Sequence, residues 1–199
     1  MKNVGIIILA AGASTRMGRP KQLLPLNGQP LLLHCVDEAL STSVSDVVVV
    51  LGSDPETYRD LLETYPVRVV VNDGWQNGIG SSIKAGLLAM QDTDRNLDAV
   101  LFLVGDQPAI RFEYLCRMIN MYYNSPVRLI ASGYADTFGV PALFGAEFFD
   151  DILSLGDKDG AKRVLKKYEH LLAILECPEG AVDIDTPQDY ANFKRQFQL

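Results

Sequence analysis

The sequence contains few of the residues that build disulfide or zinc frameworks. Its 199 residues include three widely spaced cysteines, Cys35, Cys116 and Cys177, and no Cys-x-x-Cys pair. We therefore expect neither a disulfide scaffold nor a zinc knuckle. The two histidines, His34 and His170, have charged or polar neighbours that favour surface positions. The sequence thus gives no reason to expect a hydrolase built on a catalytic histidine.

Long hydrophobic runs and an excess of positive charge are also missing. No uninterrupted apolar stretch reaches the ~18 residues that a membrane-spanning helix needs. Acidic residues outnumber basic ones by 25 to 18, giving a formal charge of −7, which argues against a protein that coats nucleic acid. The apolar run at residues 4–11 leads directly into a glycine- and arginine-rich segment. We interpret the run as a strand rather than a signal peptide, and we expect a cytoplasmic protein.

Four apolar runs rich in β-branched residues predict strands that are covered on both faces. They occupy residues 4–10, 46–51, 67–71 and 98–104. Helical periodicity appears between them, near residues 32–40 and 83–90. Strands alternating with helices predict an α/β fold with a mostly parallel sheet flanked by helices. Because no linker or repeat divides the chain, we expect one domain over residues 1–199.

The second half of the chain is less regular, and it suggests hairpin-like additions to the sheet. We expect a helix at 111–123, a strand at 127–132, an extended segment at 138–144, helical stretches at 145–154 and 160–169, a strand at 171–175, and a helix after Pro187.

The segment that follows the first strand is the strongest candidate for a ligand site, because ligands of open α/β sheets bind at the carboxyl ends of strands. Gly12 and Gly18 allow tight turns there, and small residues such as Ser14 leave backbone amides free to face an anion. Residues 1–36 contain four cations and no acidic residue, although the whole chain is acidic. This local charge indicates a phosphate-binding loop.

The spacing of this loop matches neither a P-loop nor a Gly-x-Gly-x-x-Gly fingerprint. A glycine turn with solvated cations is the simpler alternative. A second candidate is Asp106, which follows the strand at 98–104, so its carboxylate should emerge at the same edge of the sheet. A carboxylate in that position suits Mg²⁺, although Asp106 could instead begin a helix.

Five segments, taken in order, resemble a known family. They are residues 9–32, 72–82, 105–108, 139–142 and 183–187. Together they are similar to the nucleotidyltransferases related to the molybdenum cofactor guanylyl- and cytidylyltransferases. The resemblance spans nearly the whole chain and implies a Rossmann-like nucleotidyltransferase fold and a Mg²⁺-dependent enzyme.

The resemblance also implies roles for individual residues. The nucleotide-binding positions would be Ala10, Ala11, Gly12, Ser14, Arg16, Lys21, Ser82 and Asp106. Of these, Arg16, Lys21 and Asp106 would act in catalysis, and Asp106 and Asp185 would bind the metal. Simpler readings remain for two of them: Asp185, shortly before Pro187, could only cap a helix, and Ser82 could do the same. Trp75 could anchor its loop in the core or approach a ligand.

The reaction implied by the resemblance is transfer of a cytidylyl group from CTP to a molybdopterin-type acceptor, with release of pyrophosphate. Residues 139–141 and 156–162 would help to hold the acceptor, and a molybdenum hydroxylase would be the client. Ala10-Ala11-Gly12 stands where guanylyl-transferring relatives resemble Leu-Ala-Gly-Gly, which favours CTP. The alternatives are a phosphorylated acceptor of the sugar phosphate type and a non-catalytic nucleotide-binding accessory protein.

Overall fold

The computed structural model describes residues 3–42, 44, 46–93 and 96–197. Within these residues, a seven-stranded sheet forms the centre of the protein, and a separate two-stranded hairpin consists of β2 and β3. The strands are β1 (Val4–Ala10), β2 (Pro25–Leu26), β3 (Gln29–Pro30), β4 (Asp46–Leu51), β5 (Arg68–Val71), β6 (Ala99–Val104), β7 (Leu129–Tyr134), β8 (Thr137–Gly145) and β9 (Leu172–Glu176).

The central sheet has the strand order β5-β4-β1-β6-β8-β7-β9. All its neighbouring pairs are parallel except those of β8, which runs antiparallel to both β6 and β7. The predicted mostly parallel α/β fold is therefore confirmed. In the register of β1 and β6, Leu9 is opposite Val104. The segments that leave these two strands consequently start side by side at one edge of the sheet.

Helices cover both faces of the sheet. They are α1 (Leu31–Leu40), α2 (Pro55–Leu62), α3 (Ile79–Thr93), α4 (Phe112–Asn124), α5 (Phe149–Leu153), α6 (Lys162–Lys167) and α7 (Pro187–Gln196). Side chains of β1 alternate between the two layers: Ile6 and Ile8 pack in the core that includes α1 and α4, whereas Ile7 and Leu9 pack in the core that includes α3. No helix in the described ranges has the length and apolar character to cross a membrane.

Several local expectations need correction. Helix α2 and the β2–β3 hairpin were not predicted, because each is short and α2 buries only Tyr58 and Leu62. The helical stretches expected at 145–154 and 160–169 contain shorter α-helices with 3-10 turns beside them. The surface position expected for His34 is wrong. Its side chain is only 13% exposed and lies against Glu38.

Candidate functional site

The loop after β1 is held by one apolar anchor and two residues with positive φ. Met17 is buried in a small core with Leu24 and Ile184. Ser14 and Gly18 have φ values of 54° and 70°, and Met17 N donates to Ser14 O at 3.0 Å. With Met17 buried, Arg16 remains exposed at the surface of the loop. The glycines and cations of this loop are recognisable in the sequence, whereas the anchoring role of Met17 appears only in the fold.

Lys21 brings two carboxylates together. Its ammonium donates to Asp106 Oδ2 and, at 2.8 Å, to Asp185 Oδ1. Arg16 donates to the other oxygen of Asp185 at 2.7 Å. The structure therefore unites four residues that the sequence analysis nominated from three distant segments. The Lys21 side chain is 13% exposed and that of Arg16 is 71% exposed, so Lys21 is the more shielded cation.

Charge pairing dominates the electrostatics of this cluster. Burial alone would lower the pKa of Lys21, but Asp106 and Asp185 outweigh it, and the pKa is raised. Burial alone would raise the pKa of Asp185, but Lys21 and Arg16 hold it below its ordinary value. Burial raises the pKa of the nearby Asp183. Lys21 is accordingly a cation and Asp185 an anion at neutral pH.

Neither aspartate serves as a helix cap. The N-cap of α7 is Thr186, whose side chain accepts a hydrogen bond from Asp189 N, and Asp189 in turn accepts from Thr186 N. The residue that precedes α4 is Arg111, five positions after Asp106. The capping alternative is therefore wrong for both Asp106 and Asp185. Ile184 N donates to Asp106 O at 3.0 Å, which ties the start of α7 to the end of β6.

A cavity of about 200 Å³ opens beside this cluster. Its lining consists of Leu9, Ala10, Ala11, Gly12, Lys21, Gln22, Trp75, Ile79, Ser82, Val104, Gly105 and Asp106. Six of the eight positions expected to bind nucleotide are in this lining, and Ser14 and Arg16 are not. Gln22, Trp75 and Ile79 are additional wall residues. The cavity thus joins an apolar wall to the charged cluster.

Asn72 binds Ser82, one of the residues that line the cavity. Its Nδ2 donates to Ser82 Oγ at 3.0 Å and to Ser81 Oγ at 2.8 Å, while its Oδ1 accepts from Gly74 N. The bond that the structure gives Ser82 is therefore to this amide rather than to a helix-end N–H. Asn72 belongs to the family-like segment 72–82, but its contacts with Ser81 and Ser82 depend on a fold that brings the end of β5 to α3.

Trp75 packs against the segment after β4 and also lines the cavity. A Cβ added to Gly52 would lie 2.6 Å from Trp75 Cβ, so the glycine makes room for the base of this side chain. The half-buried tryptophan also lines the cavity. Trp75 is thus anchored against the segment after β4 and available to a ligand.

The two segments expected to hold an acceptor have different surroundings. Residues 156–159 pack on the start of α3, where Gly80 N donates to Asp157 O at 2.8 Å and Lys84 Nζ donates to Asp157 Oδ1 at 2.7 Å. They line an open depression together with Gln76 and Asn77. Residues 139–141 lie in β8, where the carbonyl of Pro141 accepts from Ser132 Oγ.

In the described ranges, no group of three or more His, Cys, Asp and Glu side chains forms a metal-binding cluster. Asp106 and Asp185 are nevertheless close enough for one ammonium to bond to both.

Comparisons of sequence and structure relate this chain to known proteins. Residues 6–171 match the MobA-like NTP transferase domain. The chain is 29% identical to nicotine blue oxidoreductase of Paenarthrobacter nicotinovorans, covering 90% of this chain and 91% of that protein. It is 27% identical to the purine catabolism protein PucB of Bacillus subtilis, with 95% of each covered. A solved nucleotidyl transferase from Methanothermobacter superposes with a TM-score of 0.83 at 27% identity, covering 100% of this chain and 99% of that one.

Proposed function

This chain belongs to the MobA-like NTP transferase family and is a nucleotidyltransferase, and we propose that it is a CTP:molybdopterin cytidylyltransferase. In the proposed reaction, the terminal phosphate of a molybdopterin-type acceptor attacks the α-phosphate of CTP. The new phosphoanhydride bond forms as the bond to pyrophosphate breaks. The observation that carries the proposal is that Lys21 binds both Asp106 and Asp185 beside a cavity of about 200 Å³ that Lys21 and Asp106 line.

The phosphates would bind at the loop after β1. Arg16 supplies an exposed guanidinium that can form forked hydrogen bonds, and Lys21 supplies a shielded point charge. Backbone amides around Gly12 add partial positive charge. Phosphoryl transfer needs little covalent help from the protein, so orientation and charge neutralisation account for most of the catalysis.

Asp106 and Asp185 fit a divalent metal ion, which we propose to be Mg²⁺. One or two carboxylates together with substrate phosphates are the usual protein ligands of Mg²⁺, and here one ammonium already reaches both carboxylates. When bound, the metal would supply charge neutralisation during displacement. The two aspartates would hold it at the edge where β6 and the start of α7 meet.

We propose that the base is cytosine. Ala11 follows β1 and lines the cavity, and its methyl group would reduce the space available to a bicyclic purine. Trp75 and Ile79 provide apolar contact area, and Ser82 provides a polar edge. A pocket discriminates against the wrong base when that base does not fit and when its polar groups find no partners there.

The acceptor is proposed to contact residues 139–141 and 156–162, and a molybdenum hydroxylase is the proposed client. The closest enzymatic alternative is transfer to a different phosphorylated acceptor, such as a sugar phosphate.

The decisive experiment combines the purified protein with Mg²⁺, CTP, GTP and ATP at equal concentrations, and isolated molybdopterin. Molybdopterin cytosine dinucleotide and pyrophosphate are the expected products, identified by mass and by a coupled phosphate assay. The Asp106→Asn variant is the negative control. Turnover only with sugar phosphates would favour the other acceptor class, and CTP binding without pyrophosphate release would favour an accessory protein.

A further inference from the structure

Gln22 is a buried amide directly beneath the proposed phosphate loop. It follows Lys21 in the 3-10 turn Lys21–Leu23, is only 2% exposed, and lines the cavity. We propose that Gln22 is the positioning residue that holds the loop from Gly12 to Lys21 in its triphosphate-binding shape. This inference rests on the proposed function, because it assigns a role to a residue of the same site.

All four hydrogen-bonding positions of the Gln22 amide are used. Nε2 donates to Ala10 O and to Gly12 O, each at 3.3 Å. Oε1 accepts from Ser14 Oγ at 3.1 Å and from Tyr58 Oη at 3.3 Å. A primary amide offers two N–H donors and two acceptor lone pairs, so the side chain is fully satisfied. Because the two backbone carbonyls can only accept, the amide has one workable orientation.

The bond to Ser14 stabilises an unfavourable backbone conformation. Ser14 has a φ of 54°, in the left-handed region that residues with a Cβ seldom adopt. Its hydroxyl accepts a hydrogen bond from Lys21 N at 3.1 Å and donates to Gln22 Oε1. Such conformations persist when the surrounding bonds hold them. Gln22 and the Lys21 amide therefore fix the turn that precedes Arg16.

Tyr58 links the loop to a neighbouring helix. It lies in α2, is 3% exposed, and donates to the same Gln22 oxygen that Ser14 uses. Gln22 consequently connects the end of β1, the phosphate loop and α2. Since its amide is occupied by protein partners, its effect on a triphosphate is exerted through the loop and through the position of Lys21, rather than by direct bonding.

The test compares Gln22→Leu and Gln22→Glu with the wild type. The leucine removes all four bonds, and the glutamate keeps the size but turns an oxygen toward the carbonyls of Ala10 and Gly12. We expect the Kd values of both CTP and tripolyphosphate, measured by calorimetry, to rise about tenfold or more. With CTP saturating, kcat should fall by a smaller factor than the rise in Kd.

Two further variants separate positioning from general stability. Tyr114→Phe removes a buried phenol whose single proton is shared between Ser132 Oγ and Leu175 O, in β7 and β9, which β6 and β8 separate from β1. It should lower Tm without changing either Kd. Ser14→Ala should weaken triphosphate binding, and its effect should be less than additive with that of Gln22→Leu, because both substitutions break the same bond.

Unchanged Kd values in the Gln22 variants, together with a lower Tm, would overturn the proposal and leave Gln22 as a structural residue. If Gln22→Leu does not fold, Gln22→Glu and Ser14→Ala decide in the same way. Failure of the wild type to bind CTP and tripolyphosphate would overturn both this inference and the proposed function. Normal wild-type binding with unaffected variants would overturn this inference alone.

Discussion

The ammonium of Lys21 donates to Asp185 Oδ1 at 2.8 Å, although 164 residues of sequence separate them. The contact joins two distant segments of the site, because Lys21 ends the loop after β1 and Asp185 lies just before α7. The capping box of Thr186 and Asp189 fixes the start of that helix independently of Asp185. The aspartate can thus be altered without removing the cap.

We expect Lys21→Ala to reduce kcat/KM for CTP by about 1.5 to 3 kcal/mol of transition-state stabilisation, because charge-assisted contacts to phosphate are lost. Arg16→Ala should cost less, since its side chain is 71% exposed. The matched control is Arg19→Ala, which removes one exposed cation from the same loop. Steady-state kinetics at fixed Mg²⁺ measure all three. Equal activity in the Lys21 and Arg19 variants would contradict the phosphate-loop assignment.

Asp185→Asn should abolish most turnover with a smaller loss of stability, because Thr186 still caps α7 while the ion pairs with Lys21 and Arg16 are lost. The matched variant Thr186→Ala should show the opposite balance, losing about 1 kcal/mol of stability with a smaller effect on activity. Thermal unfolding and pyrophosphate release, followed in parallel, give both readouts. Wild-type turnover in Asp185→Asn would rule out a metal-binding role, and Asp106→Asn provides the companion measurement.

A preference for CTP over GTP of about tenfold or more is expected, since one methylene-sized misfit alone contributes ~1 to 3 kcal/mol. Ala11→Gly should reduce this preference, because loss of the methyl group enlarges the cavity next to the end of β1. Competition between CTP, GTP and ATP, with products identified by mass, measures the ratio. If the wild type made mostly the guanine product, the cytidylyl assignment would be refuted, but the assignment as a nucleotidyltransferase would stand.

Acid stability should depend partly on Asp189. Hydrogen bonds from Thr186 hold its pKa below the ordinary 3.8. A depressed folded-state pKa stabilises the protein above the unfolded-state pKa, and this contribution is lost as the pH falls through the folded value. Asp189→Asn should therefore be less stable at neutral pH and should approach the wild type below pH 3.8. Urea unfolding across pH checks this, and a constant difference at every pH would contradict it.

Binding of CTP should change the fluorescence of Trp75, the only tryptophan in the sequence, because this side chain lines the cavity. Tripolyphosphate, which has no base, should produce a smaller change at equal saturation. Titration of the wild type with both ligands measures the difference, and Trp75→Phe gives the background. Identical changes with the two ligands would place the base away from Trp75.

The sequence by itself determined the framework of this protein. Continuous apolar runs identified β1, β4, β5 and β6, since strands covered on both faces need little else than β-branched residues. The same reasoning identified the loop from Gly12 to Lys21, because glycine and local positive charge are visible without any partner. Asp106 was found in the same way, as a carboxylate directly after a buried strand.

Only the tertiary structure decided which residues meet at that edge. The pairing of Lys21 with Asp185 depends on α7 returning to the end of β6, and the proposed role of Gln22 depends partly on its bond with Tyr58, which lies in a helix too short to predict. Hairpin-like strands were expected in this half of the chain, but the insertion of β8 between β6 and β7 is not visible in its composition. Local patterns of apolar and polar residues indicate whether a segment is buried. Contacts between distant segments depend on strand order and register, which are set by the packing of the whole core.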